Sequence, residues 1–378
     1  RQRQMCIRDR IHSMEAMKNI HIIDSTLRDG EQAPGVVFSE QEKIHIAQML
    51  DEIGIDEIEA GTPAMGEDEC LIIRKIADMN LNARISVWSR AIKQDILTAA
   101  KTGARGIHIA FPLSDIQLTS MNKDWTMMRD SLPEMVGIAK YYFDYVSVGA
   151  QDASRCGIER LFEFIGIAEE LSVSRIRLAD TVGIFTPLGI MDLIKKILNL
   201  YPHLNIDFHG HNDLGLATAN AITAWQSGAS TLSVTVNGLG ERAGNSALEE
   251  VVMTMLLTEK QNKYSTSTLY SLCEYVSIVS KRPISVGKAI SGNMAFSHES
   301  GIHAKSSLIN TNAFQAFDGE LIGRESSRNL FGKHSGKGAV IDFLDKQHVT
   351  IDNTKIDRLM AIIHQMAQTY RRNIYGTE

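Results

Sequence analysis

The chain has 378 residues, 44% hydrophobic, 22% charged and 6% aromatic, the make-up of a folded protein that buries a sizeable core. Its 39 Lys plus Arg against 45 Asp plus Glu give a net charge of −6, which argues against a general affinity for nucleic acid or anionic membranes; an anionic ligand must meet local positive charge. Seven prolines and 28 glycines exclude collagen-like and proline-rich architectures, and no apolar run is long enough for a membrane-spanning helix. Cys6, Cys70, Cys156 and Cys273 lack CxxC spacing, so the expected setting is the reducing cytoplasm, without a disulfide framework or zinc ribbon.

Residues 1–17 begin RQRQMCIRDR, with four arginines in ten positions and no apolar stretch of signal-peptide length. They read as a non-native or disordered leader, with Met14 or Met17 as the expected natural start. From Lys18, short apolar or β-branched runs recur with helix-length stretches between them: Ile20–Asp24, Asp56–Ala60, Arg84–Trp88, Gly106–Ala110, Tyr145–Gly149, Arg175–Ala179, Asn205–Phe208 and Thr231–Val236. Ser39 with Glu42 predicts a capping box ahead of the periodic run Ile44–Ile53, and Pro187 marks another helix start. Eight such repeats predict an α/β fold, a (β/α)8 TIM barrel over residues 18–257. Residues 258–378 are expected to form one or two helical subdomains that contribute to the active site.

An open doubly wound sheet has the same element order. The barrel is favoured by where the unusual residues fall, because Arg28 and Asp29, Glu59, Arg90, Asp152 and Arg155, Asp180 and Thr181, His209 and His211, and Asn237 to Asn245 all lie at carboxyl ends of strands. A closed barrel gathers those ends around one mouth. His209 and His211, at i and i+2 on an extended strand, project to one side, and with Asp29 they make a set able to hold Mg²⁺, Mn²⁺, Zn²⁺ or Fe²⁺ with open positions for substrate. Asn245 is an outer ligand candidate. A chance pair of surface histidines and a two-His-one-carboxylate oxygenase are the alternatives. Arg28 is suited to stabilising negative charge on a metal-chelated carbonyl, or else to neutralising carboxylates at the mouth. Glu59 reads as a support for Arg28 or as a core-edge carboxylate. The segment NGLGERAGN at 237–245 fits neither GxGxxG nor a P-loop; its glycines allow a turn that aims Glu241 and Asn245 inward. Beyond the barrel, SHESGIH at 297–303 offers His298 and His303 beside Glu299 as a proton-transfer group.

LRDGEQ at 27–32 followed by Lys43, HGHND at 209–213 and GLGERAGN at 238–245 resemble the two signatures of the isopropylmalate/homocitrate synthase family of metal-dependent barrel acyltransferases. The resemblance runs from about Lys18 to about Leu344. GTPAMG at 61–66, WSR at 88–90, PLSD at 112–115, ADTVG at 179–183, HESGIH at 298–303 and GKHSG at 332–336 most resemble the nitrogenase-associated homocitrate synthases. The resemblance implies a Claisen-type condensation of acetyl-CoA with a 2-oxo acid, followed by thioester hydrolysis. By motif, Asp29, His209 and His211 ligate the metal, Mg²⁺ or Mn²⁺ with Zn²⁺ as an alternative. Arg28 stabilises the alkoxide, Thr181 bonds the substrate carboxylate, and His303 assists proton transfer in a partner chain's barrel, which implies a homodimer. A dicarboxylic substrate needs a second cation, and Arg155 and Arg90 lie on the correct rim, although relatives using monocarboxylic substrates also carry arginine there. Gln151 stands where the family commonly has glutamate, and an amide cannot take a proton at neutral pH. The other readings are a sister synthase making citramalate, isopropylmalate or citrate, a barrel lyase, an inactive homologue, or a non-enzymatic binding protein.

Overall fold

The computed structural model describes residues 20–260, 262–297, 313–324 and 330–375. The leader expected over 1–17 lies outside the described residues. Eight parallel strands hydrogen-bond in chain order and close on themselves, because the last pairs back onto the first over His21↔Thr231 to Asp24↔Val234. They are β1 (His21–Asp24), β2 (Glu57–Glu59), β3 (Arg84–Arg90), β4 (Gly106–Pro112), β5 (Tyr145–Gln151), β6 (Arg175–Asp180), β7 (Ile206–Gly210) and β8 (Thr231–Val234). The fold is the (β/α)8 barrel, and the open-sheet alternative is excluded by this closure.

Helices cover the outside: α1 (Glu40–Ile53), α2 (Glu67–Ala77), α3 (Lys93–Ala99), α4 (Asp115–Ser120), α5 (Trp125–Tyr142), α6 (Ile158–Glu170), α7 (Pro187–Leu200), α8 (Ala217–Gln226) and α9 (Leu248–Glu259). The start of α1 is fixed as its sequence dictates: Glu42 N–H donates to Ser39 Oγ (3.3 Å) while Ser39 N–H donates to Glu42 Oε2 (2.6 Å). Its buried Ile46, Ala47, Leu50 and Ile53 form one stripe against the sheet. Pro187 opens α7, where it forfeits no intrahelical hydrogen bond.

Helices on the outside and closure on the inside bury both faces of every strand, so residues alternate between an apolar outer face and the lumen. In β6, Ile176 and Leu178 are outer-face residues, and Arg175 and Arg177 enter the lumen. There they reach the opposite strand. Arg175 Nη1 and Nη2 donate to Glu57 Oε2 and Oε1 (3.0 Å each), and Arg177 Nη1 donates to Glu59 Oε1 (3.0 Å), pairs separated by 118 residues in sequence. Arg84 Nη1 meets Glu57 Oε2 at 3.0 Å, Arg177 Nε meets Asp207 Oδ2 at 2.6 Å, and Ser233 Oγ completes Asp207 at 2.9 Å. The lower lumen is therefore a stack of ion pairs, buried throughout except at Arg84, whose side chain is 32% exposed.

The described residues fall into two compact units, one running to Ser265 and including Tyr275–Arg282, the other comprising Thr266–Glu274 and the residues from Pro283 onward. Helix α10 (Leu269–Val279) falls across this division. In the second unit, α11 (Lys337–Lys346) and α12 (Asn353–Tyr370) pack around Phe331, Val340, Ile356, Met360 and Ile363. Asp352 Oδ1 caps α12 by accepting from Lys355 N–H (2.9 Å). A two-stranded antiparallel ribbon of β9 (Leu330–Phe331) and β10 (Ile374–Tyr375) joins these helices, an addition to the expected helical composition. No helix among the described residues is long and apolar enough to cross a membrane.

Two stability predictions follow from the buried charges. Arg175→Met should cost about 3–5 kcal/mol, since it strips Glu57 of its bidentate partner in a site closed to water, and Glu57→Gln/Arg175→Met should be less damaging than the single change. Urea denaturation of the two variants checks this; equal losses would show that pairing is not what matters there. Asp24 is fully buried, and burial pushes its carboxyl up to about 7, against the hydrogen bonds from Thr26 and with repulsion from Glu249 and Glu59. The folded chain thus keeps a proton that the unfolded chain, ionising near 3.8, has released. Its contribution to stability is full below that value and is lost as pH rises towards 7. Asp24→Asn should therefore gain stability relative to the parent as pH rises from 4 to 7, measured by urea melts in chelator; parallel pH curves would refute the burial effect.

Candidate metal and substrate site

The mouth above the ion-pair stack is organised by the turn after β1. The Ser25 carbonyl accepts from the N–H groups of Arg28, Asp29 and Gly30 at 3.1, 2.8 and 3.0 Å, which packs Arg28 and Asp29 tightly over the strand end. Both are buried. Arg28 Nε lies 2.6 Å from Glu59 Oε2, Nη1 lies 3.3 Å from Asp29 Oδ1, and the guanidinium sits 5.8 Å from the Trp88 ring centroid. Glu59 thus holds Arg28 with one oxygen and Arg177 with the other.

His209 lies near the end of β7 and His211 just beyond it, with ring centroids 5.1 Å apart and planes at 85°. Their Nε2 atoms stand 3.0 and 3.8 Å from Asp29 Oδ2. One donor atom from each of Asp29, His209 and His211 lies within 4.8 Å of the others, and all three residues are buried. Asn245 faces His211 across a β-bridge; its amide nitrogen donates to Leu239 O (3.0 Å), and its Oδ1 is buried without a hydrogen-bond partner among the described residues. Gly240 makes room for that amide, because a Cβ there would stand 2.3 Å from Asn245 Nδ2.

The protonation states suit a divalent cation. Burial works to raise the Asp29 carboxyl, yet Arg28 and the two histidines hold it far below the ordinary carboxylate range. Burial pushes His211 down to about 4, against the pull of Asp29. An ionised carboxylate beside a neutral imidazole is the state that metal binding needs, and an orphaned amide oxygen at the same place adds a further oxygen donor.

A cavity of about 200 Å³ opens over this cluster. Of the residues singled out from sequence, Arg28, Asp29, Gln151, Thr181, His209, His211 and Glu241 line it. Thr181 Oγ1 accepts from Asp152 N–H (2.9 Å), which anchors the β6 end to the β5 loop. Arg90 and Arg155, expected to clamp a distal carboxylate, are absent from the lining: Arg90 is captured by Asp95 in the first turn of α3, and Arg155 by Asp152 in the loop after β5. Arg90 Nε meets Asp95 Oδ2 at 2.6 Å on the exposed rim, and Arg155 Nε meets Asp152 Oδ1 at 2.9 Å. His298, Glu299 and His303 lie outside the described residues. The lining also includes Gln32, Trp88, His108 and Arg177. Arg177 and His108 could have been found from the charged or polar residues that alternate with apolar ones in RIRLAD at 175–180 and GIHIAF at 106–111, strands whose two faces must both be buried.

Residues 19–276 match the HMGL-like family, and residues 290–371 match the family described as homocitrate synthase post-HMGL domain-like. Among curated relatives, 2-isopropylmalate synthase 2 of Caldanaerobacter subterraneus subsp. tengcongensis is 41% identical over 96% of this chain and 94% of its own length. Homocitrate synthase 1 of Nostoc sp. is 37% identical over 96% of each chain, and the (R)-citramalate synthase of Methanocaldococcus jannaschii is 36% identical over 90% of this chain and 69% of its own. Among solved structures, the HMG-CoA lyase of Bacillus subtilis superposes with a TM-score of 0.66 at 20% identity, covering 72% of this chain and 97% of that one, a likeness of fold.

Replacing Asp29 by Asn keeps the shape and removes the charge. Mn²⁺ affinity, read by titration calorimetry, should fall at least ~100-fold, the upper end of what losing an outer partner of a ligand costs. Parent-like affinity would remove Asp29 from the metal set.

Proposed function

The chain belongs to the isopropylmalate/homocitrate synthase family, and on that premise we propose that it is a homocitrate synthase, an acyltransferase that condenses acetyl-CoA with 2-oxoglutarate and hydrolyses the thioester to release CoA. The observation that carries the reading is the convergence of Asp29, His209 and His211 with Arg28 in one buried cavity. A divalent cation held there, Mg²⁺ or Mn²⁺ or in the alternative Zn²⁺, would supply Lewis acidity to the 2-oxo group.

The protein's own side chains account for the rest. Arg28 sets a fixed positive charge beside Asp29, where the attacked carbonyl oxygen gains negative charge as the acetyl methyl carbon bonds to the carbonyl carbon. Glu59, 2.6 Å from Arg28 Nε, stops the guanidinium from swinging away. Thr181 hydrogen-bonds the substrate's first carboxylate, and Asn245 Oδ1, buried without a hydrogen-bond partner among the described residues, would offer a further oxygen to a cation held there. His303, from the region after the barrel of a partner chain in a homodimer, removes the acetyl methyl proton. Gln151 at the end of β5 has no proton-accepting capacity as an amide and acts by hydrogen-bonding and orienting. Water then attacks the thioester carbonyl, the C–S bond breaks, and CoA leaves as the thiol. A cytoplasmic location accords with the cysteine usage. The 41% identity to an isopropylmalate synthase supports a second reading, the same chemistry on another 2-oxo acid.

The test is CoA thiol release by the purified protein with acetyl-CoA, Mn²⁺ and, in turn, 2-oxoglutarate, pyruvate, 2-oxoisovalerate and oxaloacetate. Release with 2-oxoglutarate that chelator abolishes and Mn²⁺ restores is the expected result. A preference for another acid keeps the mechanism and selects the sister activity, and silence with all four overturns the proposal. His303→Ala should leave 2-oxo acid binding intact while slowing turnover roughly 10²- to 10⁴-fold; unchanged turnover would clear His303 of proton transfer.

A further inference from the structure

The cavity wall holds two guanidiniums, Arg28 and Arg177, and only the first has a task in the condensation. We propose that Arg177, with His108 beside it on the cavity floor, binds the distal carboxylate of the 2-oxo acid and so selects dicarboxylic substrates. The inference rests on the condensation reading of this same site and names the residues that choose its substrate.

Arg177 is a guanidinium with one arm to spare. Its side chain is only 2% exposed; Nε is tied to Asp207 Oδ2 at 2.6 Å and Nη1 to Glu59 Oε1 at 3.0 Å. Those bonds fix the plane of the group from opposite sides of the lumen. Nη2 is buried with no hydrogen-bond partner among the described residues, although Arg177 lines the cavity. A buried donor left unmet in a cavity wall is what a ligand oxygen would satisfy.

Its height in the barrel is suitable. In the pairing of β6 with β7, Arg177 lies opposite Asp207 and Ala179 opposite His209, so Arg177 is one inward-facing layer below the metal-binding histidine. That layer spacing is ~6.6 Å, two residues of strand rise. In a five-carbon 2-oxo diacid, three C–C bonds carry the chain ~4 Å from the keto carbon to the distal carboxyl carbon, and a hydrogen bond of ~2.9 Å covers the remaining distance. Ala110, Gly149 and Ala179 on three neighbouring strands are small, which leaves that path open.

His108 completes the floor. Its Nδ1 lies 2.7 Å from Ser147 Oγ, and Nε2 occupies space that only glycine at position 149 provides, since a Cβ there would stand 2.5 Å from it. Burial, reinforced by Arg177, Arg175 and Arg28, keeps the ring neutral. With Ser147 donating to Nδ1, Nε2–H becomes a second donor towards a carboxylate. An apolar tail in the same place would leave Arg177 Nη2 unmet, and such a mismatch discriminates more strongly than a difference in size.

Three measurements test this: kcat and KM over the panel of 2-oxo acids for the parent, the same for Arg177→Lys and His108→Ala, and calorimetric binding of 2-oxoglutarate to the Mn²⁺-loaded proteins without acetyl-CoA. Arg177→Lys keeps the charge facing Glu59 and Asp207, and His108→Ala disturbs no ion pair, so a folding failure of the first leaves the second to decide. The parent should favour 2-oxoglutarate over 2-oxoisovalerate by at least ~100-fold in kcat/KM. Each variant that melts like the parent should bind 2-oxoglutarate ~10- to 100-fold more weakly, with the loss appearing in KM rather than kcat and with the preference for the diacid reduced. A parent that prefers a monocarboxylic acid, or folded variants with unchanged binding and preference, would overturn the proposal. Absence of thiol release with every acid would instead refute the condensation reading, and the binding titrations would then judge the carboxylate clamp separately.

Discussion

Glu59 is the pivot of the molecule. One of its oxygens holds Arg28 and the other holds Arg177, so a single carboxylate on β2 ties the turn after β1 to the lumen face of β6. Lumens of this fold are usually filled by layers of branched apolar side chains. Here the filling is ionic, and a buried charge is tolerated only when it is paired and hydrogen-bonded. The pairs therefore have to cross the barrel. Glu57 reaches Arg175 and Glu59 reaches Arg177 across the lumen, while Asp207 on the neighbouring strand accepts from Arg177 and Ser233. The bracing of β2 against β6 and the position of Arg28 are consequently set by the same carboxylate.

That coupling explains how the site can be both charged and buried. Asp29 stays ionised in a buried position because Arg28 stands beside it, and Arg28 stays in place because Glu59 anchors it from below. His211, by contrast, is neutral because burial outweighs the carboxylate's pull. Opposite outcomes for an acid and a base within 4 Å of one another follow from the guanidinium lying on the acid's side. An ionised Asp29 beside a neutral His211 is the state that a divalent cation requires of those two ligands.

The eight strands were legible because each is a short apolar or β-branched run between helix-length stretches, and every expected run overlaps an observed strand. Barrel closure was legible from chemistry rather than periodicity, since polar residues gathered at the carboxyl ends of the strands. The ion-pair stack was not read, because which charges meet depends on which strands are diametrically opposed, a relation that spans 118 residues and is invisible to local patterns. The clamp arginines show the limit of reading position alone. Arg90 and Arg155 are at strand ends as expected, yet Asp95 and Asp152, five and three residues away, hold both. The ribbon of β9 and β10 gives no periodic signal, since each strand has two residues.

The vertical order of the cavity separates two tasks. On the condensation reading proposed above, the upper layer, with Asp29, His209, His211 and Arg28, would address features that every 2-oxo acid shares: a keto oxygen, an adjacent carboxylate and the charge that develops between them. The lower layer, reached from β4, β5 and β6, would then address what differs, the tail. Substitutions in the floor could therefore redirect the substrate without disturbing the metal cluster, provided that the ion pairs stay balanced. Arg177 is where this freedom is most constrained: its guanidinium also neutralises Glu59 and Asp207, so exchanging it for an apolar residue would leave two buried carboxylates short of a partner. A change of substrate class at this position would thus require compensation at Glu59 or Asp207, and a change at Glu59 would release Arg28. The proposed selectivity for the tail and the proposed catalysis at the head would be linked through one carboxylate, Glu59.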